Sequence, residues 1–250
     1  MLLEVAADLH IHSALSPCAE REMTPPALLE LAARRGLGLL AITDHNSAQN
    51  VEAFMRKALE YGITVLPGME VQTREEVHIV CLFPGLGEVK ALEEVVYRHL
   101  PDRLNDERYF GPQEKVDAQG QVIGREERLL LTSTDLSVDQ VRAIVKDLKG
   151  LFIPAHVDRR SFSLISNLGF IPEELAPDAV EISRHLGPKE AKRRYPELNK
   201  FTLVSSSDAH RLEEILPRRT VFMMEEISFS EIIRALRGHD GRKVVVLAEG

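Results

Sequence analysis

Ala7-Asp8-Leu9-His10-Ile11-His12-Ser13 closes an apolar run that begins at Leu3, and the architecture of the whole chain turns on these seven residues. Leu3 to Ile11 has the length and composition of a strand. Side chains alternate between the two faces of a strand, so Asp8, His10 and His12 share one side and can converge on one metal ion. Two histidines alone leave a second reading open, a strand whose alternating polar residues face solvent. The remainder of the chain has to decide between them.

Composition sets the outer bounds. The chain has 250 residues, 44% of them apolar, enough for one large core or two small domains. No apolar run is long enough to cross a bilayer, and Met1-Leu2-Leu3-Glu4 lacks the basic start and small-residue cleavage site of a secretory signal, so the expectation is a cytoplasmic protein without a membrane partner. Cys18 and Cys81 are the two cysteines, too few for a disulfide framework. A net charge of −8 repels phosphate backbones, which argues against tight binding of duplex nucleic acid while leaving room for a local basic pocket.

Outward from the first strand, short apolar runs alternate with helical periodicity, the pattern of an α/β architecture. Thr24-Pro25-Pro26 opens a helix, with Thr24 as N-cap, Leu28, Leu29, Leu31 and Ala32 as the buried stripe and Gly36 at the C-terminal cap. Further strands are expected at 39–43, 63–71, 77–83, 151–155, 179–183, 201–205, 220–224 and 244–247. Helices are expected at 48–61, 88–100, 138–148 and 229–236. This number of strands in such a length suits a barrel related to the (β/α)8 design better than an open sheet. Residues 101–136 break the pattern. They are polar and rich in turn residues, with a hairpin signal at Asp117-Ala118-Gln119-Gly120, and read either as a lid over a site or as a surface excursion.

Metal-type side chains collect at the strand ends. Asp44-His45 follows the second strand, Glu70 closes the third, the fourth carries His78, His156-Val157-Asp158-Arg159 follows Phe152-Ile153-Pro154-Ala155, and Asp208-Ala209-His210 follows Leu203 to Ser207. In a barrel of parallel strands these positions meet at the C-terminal rim. Six of the nine histidines fall there, which decides against histidines that merely fill a core.

The ordered succession DLHIHS, AITDHN, PGMEV, EVHIV, PAHVD and SSDAH, spanning Asp8 to His210, resembles the PHP (polymerase and histidinol phosphatase) family of metal-dependent phosphoesterases. The resemblance implies a distorted (β/α)7 TIM-like barrel with its metal site at the C-terminal rim of the strands. It implies a single PHP-type domain over residues 1–250, with 101–136 as an insertion or lid candidate. His10, His12, Glu70 and Asp208 would surround a first metal, Glu70 would bridge to a second held also by His78 and His156, and a third would take His45 and His210. Glu70, Asp208 and His210 would carry the catalysis. The sequence departs from the family pattern just after the histidine pair, where relatives often place a histidine or acid. Here Cys18 is the positional candidate for the third metal, with Glu20 close behind; a thiolate ligand and a small buried thiol are both open readings.

Mixed imidazole and carboxylate donors suit zinc, manganese or iron rather than calcium, and the expected cofactors are two or three such divalent ions. Metals of this kind lower the pKa of a bound water and make it a nucleophile, so no activated serine is required; no Gly-x-Ser-x-Gly elbow and no P-loop occurs. Arg159 could clamp a phosphate, and Arg184 and His185 lie near the presumed rim as further substrate contacts. Asp8 and Asp44 could orient ligand imidazoles from behind, or, for Asp44, form a turn. Lys189 to Arg194 reads as a solvated helix face, and Cys81 as packing. The expected activity is hydrolysis of a phosphomonoester of a small metabolite or nucleotide. Two alternatives stand beside it, cleavage of phosphodiesters in short nucleic acid and a metal-binding sensing module without turnover.

Overall fold

The computed structural model describes residues 1–247. Its strands are β1 (Leu3–Ile11), β2 (Leu39–Ile42), β3 (Thr64–Gln72), β4 (His78–Leu82), β5 (Glu114–Val116), β6 (Val122–Arg125), β7 (Leu151–Pro154), β8 (Val180–Glu181), β9 (Leu203–Val204), β10 (Thr220–Met224) and β11 (Lys243–Val246). The helices are α1 (Pro25–Arg34), α2 (Val51–Ala58), α3 (Leu86–His99), α4 (Glu107–Phe110), α5 (Val138–Asp147), α6 (Leu164–Leu168), α7 (Pro188–Arg194) and α8 (Phe229–Arg237). None is long and apolar enough to cross a membrane.

Seven strands form one sheet in the order β11-β10-β1-β2-β3-β4-β7, and the parallel pair β8-β9 spans the gap back towards β10. Backbone bonds carry the closure: Asp178 N–H donates to the Phe152 carbonyl at 3.1 Å, and Val157 N–H to the Glu181 carbonyl at 2.9 Å. On the other side of the gap Ser205 N–H donates to Thr220 Oγ1 at 2.9 Å. The result is the expected distorted TIM-like α/β barrel. One sheet-facing cluster of Leu9, Leu39, Ala41, Leu66, Val80, Ile153, Val204 and Phe222 fills one side of the strands, and a larger one lies between sheet and helices. β1 is therefore buried on both faces from Val5 onward, which excludes the solvent-facing reading of its histidines.

The strands are not all parallel, and this corrects the sequence expectation. Only β1-β2, β2-β3 and β8-β9 pair in parallel, whereas β4 runs antiparallel to both β3 and β7, and β10 antiparallel to β1. The cause is local. Thr73 to Val77 is too short for a crossover helix and folds as a tight turn, with Glu76 at φ +57°. His78 thus reaches the rim as the first residue of its strand, not the last.

Local signals account for several boundaries. Thr24 is extended and Pro25 opens α1, although the Thr24 side chain makes no capping bond. Gly36 adopts φ +70° beyond the last turn, letting Leu37 N–H reach back to the Ala32 carbonyl at 3.0 Å. The helix expected over 48–61 is shorter, an α-helix from Val51 tightening into a 3-10 turn at Leu59–Tyr61. Of α7 only Ala191 is buried, as a solvated basic face requires.

Residues 101–136 contain α4 and the β5-β6 hairpin, whose turn is held by the Asp117 carboxylate accepting from Gln119 and Gln121 N–H groups. The segment is stitched to the loop that follows the histidine pair. Glu114 N–H donates to the Ala14 carbonyl at 2.8 Å, and the Asn50 amide binds both the Glu114 carbonyl and Val116 N–H. Gly111, at φ +93°, lies so close to Pro17 that a Cβ would stand 2.2 Å from its carbonyl oxygen.

Candidate functional site

Six separate strands deliver the polar residues to one rim. β1 carries His10 and His12, the loop after β2 brings His45, β3 carries Glu70, β4 opens on His78, the β7 end leads to His156, and the β9 end to Asp208 and His210. Asn46, His156 and Asp208 hold left-handed φ values of +50°, +29° and +50°. Non-glycine residues pay for such backbone, and its concentration at a rim of imidazoles marks a site where geometry outranks local comfort.

Glu70 is the centre. It is 1% exposed, and five imidazole nitrogens surround its carboxylate: His45 Nδ1 and His78 Nδ1 at 2.9 Å, His10 Nε2 at 3.1 Å, His156 Nε2 at 3.4 Å and His12 Nε2 at 3.5 Å. These are ion-pair distances, and neither Glu70 oxygen takes part in a hydrogen bond of good geometry. His45 Nδ1, His78 Nε2 and His156 Nδ1 are buried without partners as well. Buried polar atoms go unpaired at real cost unless something else satisfies them, and a cation shared between these donors would do so.

His10 and His12 make the same point. Glu181 Oε2 lies 3.0 Å from His10 Nδ1, and Ser16 Oγ lies 2.9 Å from His12 Nδ1 while donating its own proton to Asp44 at 2.7 Å. Both rings are thereby oriented with Nε2 inward, and the two Nε2 atoms stand 3.2 Å apart. Two nitrogens on one tetrahedral ion, each roughly 2.05 Å from it, are separated by roughly 3.3 Å, so the spacing fits a shared metal. Burial works against a charge on His10, but Glu181, Glu70 and Asp208 outweigh it and raise its pKa well above the usual range; the pocket favours positive charge there. Burial also opposes ionisation of Glu70 and Asp208, yet the imidazoles around them hold both well below the ordinary carboxylate range.

Three triads have donor atoms within 4.8 Å of one another: His10, His12 and Asp208; His45, Glu70 and His78; and His12, His45 and His210. This grouping shares His12 and His45 between neighbouring positions, where the sequence resemblance assigned each to one metal. The Cys18 thiol lies within reach of His45 and His210. Cys18 is exposed at the surface, which rules out a small buried thiol; crowding around its sulfur pushes the thiol pKa up, but the two imidazoles bring it down to about 6. Glu20 turns away, its carboxylate 3.3 Å from Arg211 at the surface.

Arg159 Nη1 pairs with Asp208 Oδ2 at 2.6 Å, and Arg159 lines a cavity of 340 Å³ with His45, Glu70, Gln72, His78 and Asp208. Arg184 is drawn instead to Glu214 at 3.0 Å, His185 is exposed, and neither lines that cavity. Asp8 touches no imidazole; it accepts from Ser207 N–H at 3.0 Å, bracing the turn into Asp208, and burial raises its pKa to about 6. Asp44 accepts from Ser13 N–H, Ser13 Oγ and Ser16 Oγ, so it acts on His12 through Ser16. Cys81 is buried in the strand core, where desolvation pushes its thiol pKa up.

Sequence reasoning missed Glu181, Ser13 and Ser16. Glu181 alternates with Val180 and Ile182 in an expected strand, a pattern equally consistent with a solvent-facing carboxylate, so only its burial behind His10 reveals the role. Ser16 carried no signal, since its contact depends on how the loop after His12 folds.

Comparison with known proteins gives a family. The PHP domain model matches residues 8–157, more than half of the chain. The uncharacterised protein YqxK of Bacillus subtilis is 24% identical over 97% of the chain, which spans only 64% of that protein. A shorter stretch of 83 residues, 32% of the chain and 27% of the relative, is 40% identical to a 3′,5′-nucleoside bisphosphate phosphatase of Chromobacterium violaceum. Among solved structures, a lesion-specific endonuclease from Pyrococcus furiosus superposes with a TM-score of 0.72 at 21% identity, covering 97% of this chain and 58% of that one. An amidohydrolase from Chromobacterium violaceum with bound sulfate gives 0.58 at 20% identity, over 85% and 90% of the two chains. The likenesses in structure speak to the fold, and the model match over the histidine-rich strand ends speaks to descent: the chain belongs to the PHP domain family.

Proposed function

We propose that this protein is a metal-dependent phosphomonoesterase acting on a small phosphorylated metabolite or nucleotide. The observation that carries the reading is the buried Glu70 carboxylate, unbonded amid five imidazole nitrogens. In this reading His10, His12, His45, Glu70, His78, His156, Asp208 and His210 hold two or three divalent ions, with Cys18 as the additional donor beside His45 and His210. Ions so held would polarise a phosphate ester and supply a bound water ionised near neutral pH.

The chain's own residues do the rest. Glu70 stays ionised and keeps neighbouring positive charges from repelling one another, while Glu181 and Ser16 lock the two imidazoles of β1 in orientation. Arg159, now paired with Asp208, would be free to direct its guanidinium to the phosphoryl oxygens where Asp208 serves a metal instead. Asp208 and His210 complete the catalytic set at the cavity edge. Residues 101–136 belong to the same domain and supply Leu131 to the cavity wall. The 340 Å³ cavity suits a small substrate rather than a duplex.

The test is phosphate release across a panel of esters by protein reconstituted with zinc, manganese or iron. Activity is expected to stop on chelation and to vanish in Glu70→Gln and His156→Ala; no turnover with any metal would sink the reading. A phosphodiesterase acting on short single strands is the second reading, favoured by the shared fold with an endonuclease. Initial rates on a mononucleotide and on an oligonucleotide separate the two.

A further inference from the structure

Phe162 has no part in the metal cluster, yet it lines the same cavity. It sits in the loop between β7 and α6 at φ +56°, a left-handed backbone that aromatic residues seldom adopt. Several bonds hold it there. Its carbonyl accepts from His78 N–H at 3.0 Å, and Ser163, which caps α6, donates its hydroxyl to the Arg159 carbonyl at 2.8 Å. The Phe162 ring lies against the His78 imidazole, centroids 4.7 Å apart and planes 20° from parallel.

One ring face is thus covered, yet the residue remains 40% exposed, whereas Phe54, Phe83 and Phe222 are fully buried. A strained, half-open phenylalanine contributes little to a core, so its position calls for another explanation. The cavity it lines is of mixed chemistry. His45, Glu70, His78, Asp208 and His210 with Arg159 give it the donors that suit a phosphoryl group, whereas Phe162, Leu131 and the Gln72 side chain bring no charge to its lining.

We propose that Phe162, with Leu131 and Gln72, forms a leaving-group subsite that takes a flat aromatic group carried by the phosphate ester, a nucleobase or an aryl ring. The inference rests on the phosphomonoesterase reading and names the substrate class it lacked. In the hydrolysis, water oxygen bonds to phosphorus, the P–O bond to the leaving alcohol breaks, and that alcohol departs with a proton, leaving inorganic phosphate. The aromatic group stacks on the outer face of Phe162, extending the stack already begun by His78. Arg159, three residues earlier in the same loop, reaches the phosphate, so one short segment grips both ends of the substrate. The Gln72 amide nitrogen already donates to Ser133 Oγ at 3.0 Å, which leaves its carbonyl oxygen and second N–H for the edge of a base, groups that an unsubstituted aryl ring could not use.

Adenosine 5′-monophosphate and 1-O-methylribofuranose 5-phosphate share one leaving alkoxide and differ only in the base, so their kcat/KM ratio isolates the subsite. A preference of about tenfold for the nucleotide is expected from base–aromatic stacking. In Phe162→Leu the ratio falls towards one, chiefly through the nucleotide KM, and Phe162→Tyr restores it. A second pair, 2-phenylethyl and 2-cyclohexylethyl phosphate, separates the sources: preference in both pairs means any aromatic group, preference in the first alone means a nucleobase. Equal efficiencies within both pairs, or a ratio unmoved in Phe162→Leu, overturns the subsite while leaving the phosphomonoesterase reading intact. Calorimetric binding of the methylenephosphonate analogues of the first pair, with manganese present, gives a readout without turnover. A Phe162-dependent preference there in a protein that releases phosphate from no ester of the panel refutes the phosphomonoesterase reading and keeps the subsite; no preference refutes the subsite.

Discussion

Replacing Glu181 by glutamine tests whether the β8 carboxylate sets up the metal centre. Glu181 is 2% exposed, and its Oε2 sits 3.0 Å from His10 Nδ1, while Oε1 has no partner. Glutamine keeps the shape and can still accept from His10 Nδ1–H through its carbonyl, but it removes the negative charge that favours a cation beyond the ring. Outer partners of this kind are worth about 10- to 100-fold in metal affinity, or about 1.4 to 2.7 kcal/mol. A separate cost falls on the metal-free fold. The new amide nitrogen occupies a buried position without an acceptor, which costs about 1 to 3 kcal/mol, partly offset by removing a buried charge. Competition against a chromophoric chelator measures the affinity, with far-ultraviolet circular dichroism of the metal-free protein confirming that the variant is folded. A folded Glu181→Gln protein whose metal affinity lies within threefold of wild type would refute the reasoning.

Three other outcomes follow from the geometry. The buried Glu231 is held at a pKa of about 2 by the Arg242 guanidinium, with the Glu225 N–H and Arg234 adding to it; a carboxylate depressed in the folded state stabilises fully above its ordinary value and loses that contribution as pH falls towards 2. Melting temperatures of wild type and Glu231→Gln should therefore differ most above pH 4.5 and converge in acid, and a constant gap across that range would contradict the linkage. Gly111→Ala places a Cβ against the Pro17 carbonyl at a positive φ and should cost more than about 1 kcal/mol while loosening metal retention beside Cys18, whereas Gly87→Ala, with open space around it, should not destabilise; equal melting temperatures for the two variants would disprove the clamp. Chelation should lower the melting temperature of wild type, since a ligand bound only by the folded state stabilises it, and should have far less effect in Glu70→Gln; an identical drop in both would place the metal elsewhere.

How far the sequence carries can be judged residue by residue. β1, α1 and β10 lie where period and punctuation place them, because a buried nine-residue apolar strand, a Thr-Pro start and a Gly stop are local statements about backbone preference. The family was legible for a similar reason: metal-type residues at successive strand ends keep their order whatever the details of packing. The direction of β4 was not legible, because it depends on Thr73 to Val77 closing as a turn rather than leading into a crossover. Phe162 and Gln72 were not legible either, since nothing in their neighbours marks them as facing a cavity.

Fold class, family and the residue types gathered at the rim are legible from patterns of period two, period 3.6 and turn chemistry, which act over a few residues. That Glu70 sits between five imidazoles, that Glu181 rather than Asp8 backs His10, that Asp44 reaches His12 through Ser16, and that Arg159 rather than Arg184 lines the cavity emerges with the folded chain alone. Those contacts join residues as far apart as 171 positions, from His10 to Glu181. Their geometry is set by how the curled sheet closes, and a difference of a few ångströms in that closure separates a ligand from a bystander.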